Sequence, residues 1–211
     1  MSNSKKRFSD LVLEYSKAIS SYLKGFPFIL EDQRDKLEEI YSLLEKSRAV
    51  HIYGKGRSAN AAVGLALRLK HFGYNVWFIG DVVKERIKKE DVVILFSGSG
   101  ETSEVIDVAK RAKIERAKVV AITSYKDSNL AKNSDLILYL PGGIEKRKGW
   151  DYLEAQLASE SASESIFYGG GEFETMAYLF QETLISAIGR YKKIPESKVM
   201  AEHERDEVVE E

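Results

Sequence analysis

The 211-residue chain contains no cysteine, which excludes a disulfide framework, a zinc knuckle and a thiol nucleophile. It has only three prolines, and no apolar run is long enough to cross a membrane or to form the core of a signal peptide. We therefore predict a cytoplasmic protein without membrane association. The three histidines, His51, His71 and His203, are far apart in the chain and show no ligand-like spacing, so we predict no metal site and no cofactor.

Neither sign of charge is in excess, because 32 Lys and Arg residues are balanced by 33 Asp and Glu residues and the formal net charge is -1. Without a global basic field, we expect no binding to nucleic acid or to an anionic membrane surface. Hydrophobic residues make up 44% of the chain, which is enough for one sizeable core, and the length favours a single domain.

Short apolar runs rich in Val, Ile and Tyr occupy the middle of the chain and are too short for helices, so we predict five buried strands. Helical patterns separate them, most clearly at 59–72 and 101–113. This alternation predicts an α/β fold, with a five-stranded parallel sheet between two layers of helices, as in flavodoxin-like three-layer sandwiches. The predicted strands cover residues 49–53, 75–79, 92–96, 119–123 and 136–140.

Amphipathic helical patterns flank the strand region on both sides. Two N-terminal helices are predicted at 8–23 and 30–46, the first being stopped by Gly25 and Pro27. A long helix is predicted at 173–191, followed by a charged tail. The apolar, aromatic-rich stripe of the first helix would be poorly covered in a lone copy, so we expect a homo-oligomer.

The predicted organisation is one domain over the whole chain. Residues 142–170 form a variable loop or lid, within which 154–165 is either a weak helix or a mobile lid. The other parts of the predicted domain are N-terminal helices in 1–47, the sheet core with its loops in 48–141, and C-terminal helices in 171–211.

The strongest local motif follows the third predicted strand and reads Ser97-Gly98-Ser99-Gly100-Glu101-Thr102. Glycines let backbone N–H groups approach a ligand, the three hydroxyls add donors, and the N-terminus of the next helix adds positive potential. A phosphate monoester suits such a site. The alternative is an ordinary turn with Thr102 as a helix cap, although a cap requires one hydroxyl and this loop offers three.

A second glycine-rich loop, Gly54-Lys55-Gly56-Arg57-Ser58, follows the first predicted strand. A G-x-G alone is weak support for a dinucleotide site, and Asn60 stands where a third glycine would be. We interpret Ser58 as a donor to a sugar or phosphate, and Arg57 as a charge partner or, equally, an exposed ion-pair residue. In parallel sheets, ligands bind beyond the carboxyl ends of the strands, where both loops are expected.

Together, G-x-G-R-S and S-G-S-G-E-T resemble the motifs of the sugar isomerase (SIS) domain family. Within it the chain is most similar to the archaeal 6-phospho-3-hexuloisomerases, closely so over residues 50–140. The resemblance implies a sugar-phosphate substrate and a homodimer or homotetramer. The substrate-binding residues that follow from the motifs and the resemblance are Gly56, Arg57, Ser58, Ser97, Gly98, Ser99, Gly100, Glu101 and Thr102.

The resemblance also implies a reaction that moves a ketone from C3 to C2 of a hexulose 6-phosphate through an enediol, which requires one base. A family segment resembling G-T-L-F-E begins a helix, and Gly170-Gly171-Glu172-Phe173-Glu174 occupies that place, so Glu174 is the candidate base. A terminal segment resembling R-H-A-N-L-E makes His203 a second candidate, supplied by a neighbouring subunit. For both residues the alternative is a solvated surface position.

Two other functions stay open at this point. SIS-type domains also act as non-catalytic sensors that bind a sugar phosphate, and a fold does not settle a function. A different SIS isomerase, such as a phosphoheptose isomerase, is the other alternative, because residues 142–168 look unlike the hexuloisomerases.

Overall fold

The computed structural model describes residues 6–144 and 166–204. These two ranges contain five strands and eight helices. The elements in chain order are α1 (Phe8–Leu23), α2 (Phe26–Glu31), α3 (Arg34–Lys46), β1 (Val50–Gly54), α4 (Ser58–His71), β2 (Val76–Phe78), β3 (Val92–Phe96), α5 (Ser103–Ile114), β4 (Lys118–Thr123), α6 (Asn129–Lys132), β5 (Leu136–Tyr139), α7 (Glu172–Tyr191) and α8 (Glu196–Glu204).

The sheet is parallel throughout, with the strand order β2-β1-β3-β4-β5. Val50 of β1 pairs with Val76 on one side and with Val92 on the other. From β1 the chain first moves outward to β2, then returns to β3 and continues in the opposite direction. The order therefore reverses between β1 and β3, which places the topological switch point between these strands. The predicted flavodoxin-like α/β sandwich is confirmed.

Each face of the sheet has its own hydrophobic core. In β3, Val92, Ile94 and Phe96 pack on the face covered by α2, α3, α4 and α7. Val93 and Leu95 alternate with them and pack against α5 on the opposite face. Successive side chains of a strand point to opposite faces, so a strand buried on both faces needs a continuous apolar run. The sequence Val-Val-Ile-Leu-Phe of β3 is such a run.

All five strands lie within one residue of their predicted bounds at each end, but one helix differs. The helix predicted at 30–46 is wrong, because the chain forms α2 and α3 with a break at Asp32 and Gln33. The buried Gln33 side chain donates to the carbonyls of Ile29 and Tyr139, both at 2.9 Å, and accepts from the Tyr139 N–H at 2.8 Å. Two of these three bonds connect the break between the helices to the edge strand β5.

Pro27 does not act as the predicted stop signal. It lies in the first turn of α2, where a missing backbone N–H removes no helical hydrogen bond. The end of α1 at Leu23 agrees with the prediction.

Helix α1 has no buried residue. Its last turn is attached to the rest of the protein through Tyr22, whose ring meets Phe167 edge-on with centroids 5.4 Å apart and whose hydroxyl donates to Glu172. Phe8, at the other end of the helix, is 81% exposed. The predicted oligomer stays a prediction. Within the described ranges, no helix combines the length and the apolar character that a membrane span requires.

Candidate functional site

A cleft of about 290 Å³ opens beyond the carboxyl ends of β1 and β3, at the switch point of the sheet. It is bounded by the loop after β1, the loop after β3, the segment that follows β5 and the first turn of α7. The lining residues are Lys55, Gly56, Arg57, Ser58, Gly98, Ser99, Thr102, Gly142, Gly143, Ile144, Gly170, Phe173 and Glu174.

The loop after β1 depends on the close approach of the first turn of α4. A Cβ atom at Gly54 would lie 2.9 Å from the Ser58 carbonyl oxygen, so only glycine lets β1 lead directly into α4. Gly56 has a φ of +60°, in the left-handed region that glycine adopts without steric cost. This tight turn brings Lys55, Arg57 and Ser58 to the cleft.

In the loop after β3, the hydroxyls have different surroundings. The Ser97 hydroxyl is buried, accepts from the Gly100 N–H at 3.1 Å and lies 3.1 Å from the Thr102 hydroxyl. The Ser97 hydroxyl therefore stabilises the conformation of the loop through contacts within it. Ser99 and Thr102 line the cleft, immediately before α5, so donors and the positive helix end lie together. The loop geometry suits an anion with several oxygens.

Glu101 is not among the described lining residues, and its side chain anchors this loop to α6. Its carboxylate accepts from the backbone N–H and the side-chain amide of Asn129, at 2.9 Å and 2.6 Å. Gly100 contributes its backbone, with a φ of +65°, and a Cβ there would lie 2.1 Å from the Ser128 hydroxyl. Both residues support the loop beneath the lining.

The segment after β5 is packed tightly onto the loop after β3. A Cβ at Gly143 would lie 2.1 Å from the Gly98 carbonyl oxygen, and one at Gly98 would lie 2.9 Å from the Phe173 ring. The Ser124 hydroxyl accepts from the Gly143 N–H at 2.8 Å and donates to the Leu140 carbonyl at 2.5 Å. The two glycines thus bring the backbones of the loop after β3 and the segment after β5 together, next to the Phe173 ring of α7.

Glu174 lies in the first turn of α7, and its side chain is 24% exposed. One carboxylate oxygen, Oε1, is 3.5 Å from the Ser58 hydroxyl. The other, Oε2, is buried without a hydrogen-bond partner and lies 3.7 Å from an Arg57 nitrogen. Because the side chain keeps part of its surface exposed and lines the cleft, this carboxylate can accept a proton from a bound ligand.

Arg57 connects this helix start to the loop after β1. Its two terminal nitrogens donate to the carbonyl oxygens of Gly169 and Gly170, at 2.9 Å and 3.0 Å, while one of them also faces Glu174. The forked guanidinium is suited to such a double contact. Arg57 is therefore bound to the protein and not directed only at solvent.

The structure brings most of the predicted residues together. Of the nine predicted substrate-binding residues, Gly56, Arg57, Ser58, Gly98, Ser99 and Thr102 line the cleft with Glu174. Ser97, Gly100 and Glu101 lie behind the lining, and the roles of all nine stay predictions.

His203 belongs to α8, which begins after the end of α7 opposite Glu174. Its side chain lies outside the described residues, as does the segment 154–165, which was predicted as a weak helix or lid.

Sequence reasoning missed several lining residues, including Lys55, Gly143 and Phe173. A lysine in a glycine loop at a strand end was a usable signal for Lys55. Nothing local marks Gly143 or Phe173, because their place depends on how the segment after β5 and α7 pack against the sheet.

No group of three or more His, Asp or Glu residues in the described part of the chain is arranged to hold a metal ion. Among the described residues, the lining of the cleft presents hydroxyls, backbone groups, Lys55, Arg57 and one carboxylate, that of Glu174. This combination fits an anionic, hydroxylated ligand.

The SIS domain model matches residues 43–163, a range that includes both glycine-rich loops. The chain belongs to the SIS domain family.

Relatives extend the similarity over most of the chain. An uncharacterized protein of Archaeoglobus fulgidus is 32% identical over 197 residues, covering 93% of this chain and 97% of its own. A 3-hexulose-6-phosphate isomerase of Methanocaldococcus jannaschii is 29% identical over 86% of this chain and 89% of its own. A crystal structure of a Methanococcus jannaschii protein, reported to infer a function of 3-hexulose-6-phosphate isomerase, aligns with a TM-score of 0.67 and 26% identity, covering 90% of this chain and 95% of the other.

Proposed function

We propose that the protein is a sugar-phosphate isomerase that interconverts 3-hexulose 6-phosphate and fructose 6-phosphate. The observation that carries this proposal is the Glu174 carboxylate, which lines the cleft together with phosphate-type donors and keeps its side chain 24% exposed. The relatives named as isomerases of this substrate support the choice of reaction.

The phosphate of the substrate would bind the loop after β3. Ser99 and Thr102 offer hydroxyl donors at the N-terminus of α5, and a dianion there gains from charge-assisted hydrogen bonds and from the helix dipole. The sugar chain would then extend past Ser58 toward Glu174. This orientation puts the reacting carbons, and not the phosphate, beside the base.

Glu174 would remove the proton from C2 of the 3-ketose, and the electrons of that C–H bond would form the C2=C3 double bond of an enediolate. The proton returned to C3 gives the C2 ketone, while the hydroxyl proton moves from O2 to O3. Atoms balance without a further reactant. A single carboxylate can serve both transfers if it stays between the two carbons.

Arg57 and Ser58 would hold Glu174 in that position. The hydroxyl of Ser58 faces one carboxylate oxygen and the guanidinium of Arg57 faces the other. The bonds from Arg57 to the carbonyls of Gly169 and Gly170 fix the chain just before α7. We assign these two residues positioning roles at the sugar end of the cleft.

The test is a comparison of two glutamates in the same helical turn. Glu174→Gln keeps the size and hydrogen bonding of the side chain but removes the base, so kcat should fall by about 10² to 10⁴-fold with little change in KM. Glu172→Gln is the matched control, because Glu172 contacts Tyr22 outside the cleft lining, and it should retain activity.

The assay should follow hexulose and heptulose phosphates by NMR, so that the preferred substrate is identified together with the base. Turnover of 3-hexulose 6-phosphate that depends on Glu174 supports the proposal. Binding of sugar phosphates without turnover by the wild-type protein would indicate a sensor and contradict it, and preference for a heptulose phosphate would indicate a different isomerase.

A further inference from the structure

Two cations belong to the described lining of the cleft, Lys55 and Arg57. The two side chains differ in the protein groups that they contact. Arg57 donates to two backbone carbonyls and faces Glu174, so its release would free the segment before α7. Lys55 forms an ion pair with Glu104, with 3.0 Å between Nζ and Oε1.

The Lys55–Glu104 pair is exposed, with side-chain exposures of 55% and 51%. Exposed pairs contribute little because water and salt screen them. The lysine stem is also flexible, and its ammonium is a point charge that can donate to any oxygen acceptor within reach. Lys55 can therefore change partner at small cost, whereas Arg57 cannot.

Glu104 would not be left unpaired by such a change. It lies in the first turn of α5, where its own backbone N–H, then Lys55 and the Ser103 hydroxyl hold the pKa of the carboxyl down to about 2. The Ser103 hydroxyl donates to Oε2 at 3.1 Å. After Lys55 leaves, the helix end and this hydroxyl still stabilise the carboxylate.

Both members of the pair flank the loop proposed to bind phosphate. Lys55 lines the cleft with Ser99 and Thr102, and Glu104 follows Thr102 by two residues. An ammonium released from Glu104 is thus next to the donors of that loop.

We infer that Lys55 is a substrate-binding residue that exchanges Glu104 for the phosphate of the sugar phosphate, and that Glu104 holds it in place while the cleft is empty. The identity of the sugar in this inference rests on the proposed function, whereas the contact of Lys55 with a phosphate does not. It predicts opposite effects of the two partners: loss of the lysine weakens phosphate binding, and loss of the glutamate charge strengthens it.

The experiment is a calorimetric titration of the full chain with fructose 6-phosphate and with inorganic phosphate. Lys55→Met should weaken the binding of both ligands by a similar factor, about fivefold to tenfold for a partly exposed charge contact. Glu104→Gln should strengthen both by about twofold to fivefold, since the lysine no longer has to leave a charged partner.

Lys88→Met is the matched control. Lys88 also pairs with a glutamate, at 2.8 Å from Glu85, and is likewise 55% exposed, but it lies outside the cleft. Its removal should leave both affinities unchanged.

Three results would overturn the inference: equal binding by Lys55→Met and Lys88→Met, weakening by Glu104→Gln, or weakening of fructose 6-phosphate with unchanged binding of inorganic phosphate. Failure of the proposed function looks different. A protein that does not isomerise hexulose phosphates, yet shows the opposite effects of Lys55→Met and Glu104→Gln on inorganic phosphate, would retain the inference and lose the reaction.

Discussion

Gly98→Ala is expected to reduce catalysis more than stability. The added Cβ would lie 2.9 Å from Cγ of Phe173 and 3.1 Å from the Cα of Gly143. Carbon atoms pack at about 3.5 to 4.0 Å, so these neighbours must move by about 0.5 to 1 Å. Neither can move freely, because the Phe173 ring is 1% exposed and Gly143 is held by Ser124 and Tyr125.

The magnitudes follow from this geometry. Overpacking of a filled site costs about 1 to 3 kcal/mol, and for a chain of this length each kcal/mol lowers the melting temperature by about 2 to 4 °C. Phe173 directly precedes Glu174, so its displacement moves the proposed base. A shift of about 1 Å at a reacting group can cost about 10²-fold in rate, which is the fall in kcat that we expect.

The assay combines thermal unfolding with steady-state kinetics on the same preparations. Gly171→Ala serves as the control, because its Cβ would meet nothing within 4 Å although it also lies next to the start of α7. That variant should keep its melting temperature and activity. Wild-type kcat and melting temperature in Gly98→Ala would refute the close packing of the loop after β3 on α7.

Three further predictions concern other parts of the structure. Gln33→Leu should lower the free energy of unfolding by about 2 to 3 kcal/mol in urea titrations, because three hydrogen bonds to Ile29 and Tyr139 are lost; an unchanged midpoint would contradict the role of Gln33 at β5. Arg57→Lys should lower kcat by about tenfold with little effect on unfolding, because one ammonium cannot hold both glycine carbonyls and face Glu174; full activity would remove Arg57 from the positioning of the base. Burial lowers the pKa of His51 despite its contact with Asp91, so the unfolded chain binds the proton more readily and stability should fall as pH decreases below about 6.5; urea unfolding of His51→Gln from neutral to acidic pH should show a shallower fall, and an identical slope would contradict the shifted pKa.

The sheet and its loops could be predicted from the sequence because their signals are local. The continuous apolar run of β3 requires burial on both faces, and the glycines at 54 and 56 mark the turn into α4. The carboxyl ends of parallel strands lie at the same edge of a sheet, so the two glycine-rich loops that follow β1 and β3 must lie close together. Glu174, by contrast, was found through the family resemblance.

The remaining features depend on contacts between distant parts of the chain. The break between α2 and α3 is stabilised by Gln33 bonding to β5, 106 residues further on. The carbonyl groups that Arg57 binds are more than 110 residues away in the chain. The sequence therefore could not decide whether Arg57 contacts a ligand or forms a surface ion pair. The contact of Glu101 with Asn129 in α6 is likewise not visible in the motif, and the predicted substrate-binding role of Glu101 stays a prediction.

The most direct test of the proposed reaction is proton exchange in fructose 6-phosphate dissolved in D₂O, followed by NMR. If Glu174 forms a C2–C3 enediol, wild-type protein should replace the C3 proton with deuterium, and Glu174→Gln should lose this exchange while Glu172→Gln keeps it. Exchange at C1 instead would indicate an aldose–ketose isomerase that uses a C1–C2 enediol. No exchange at either carbon by wild-type protein that binds fructose 6-phosphate would contradict catalysis at this site.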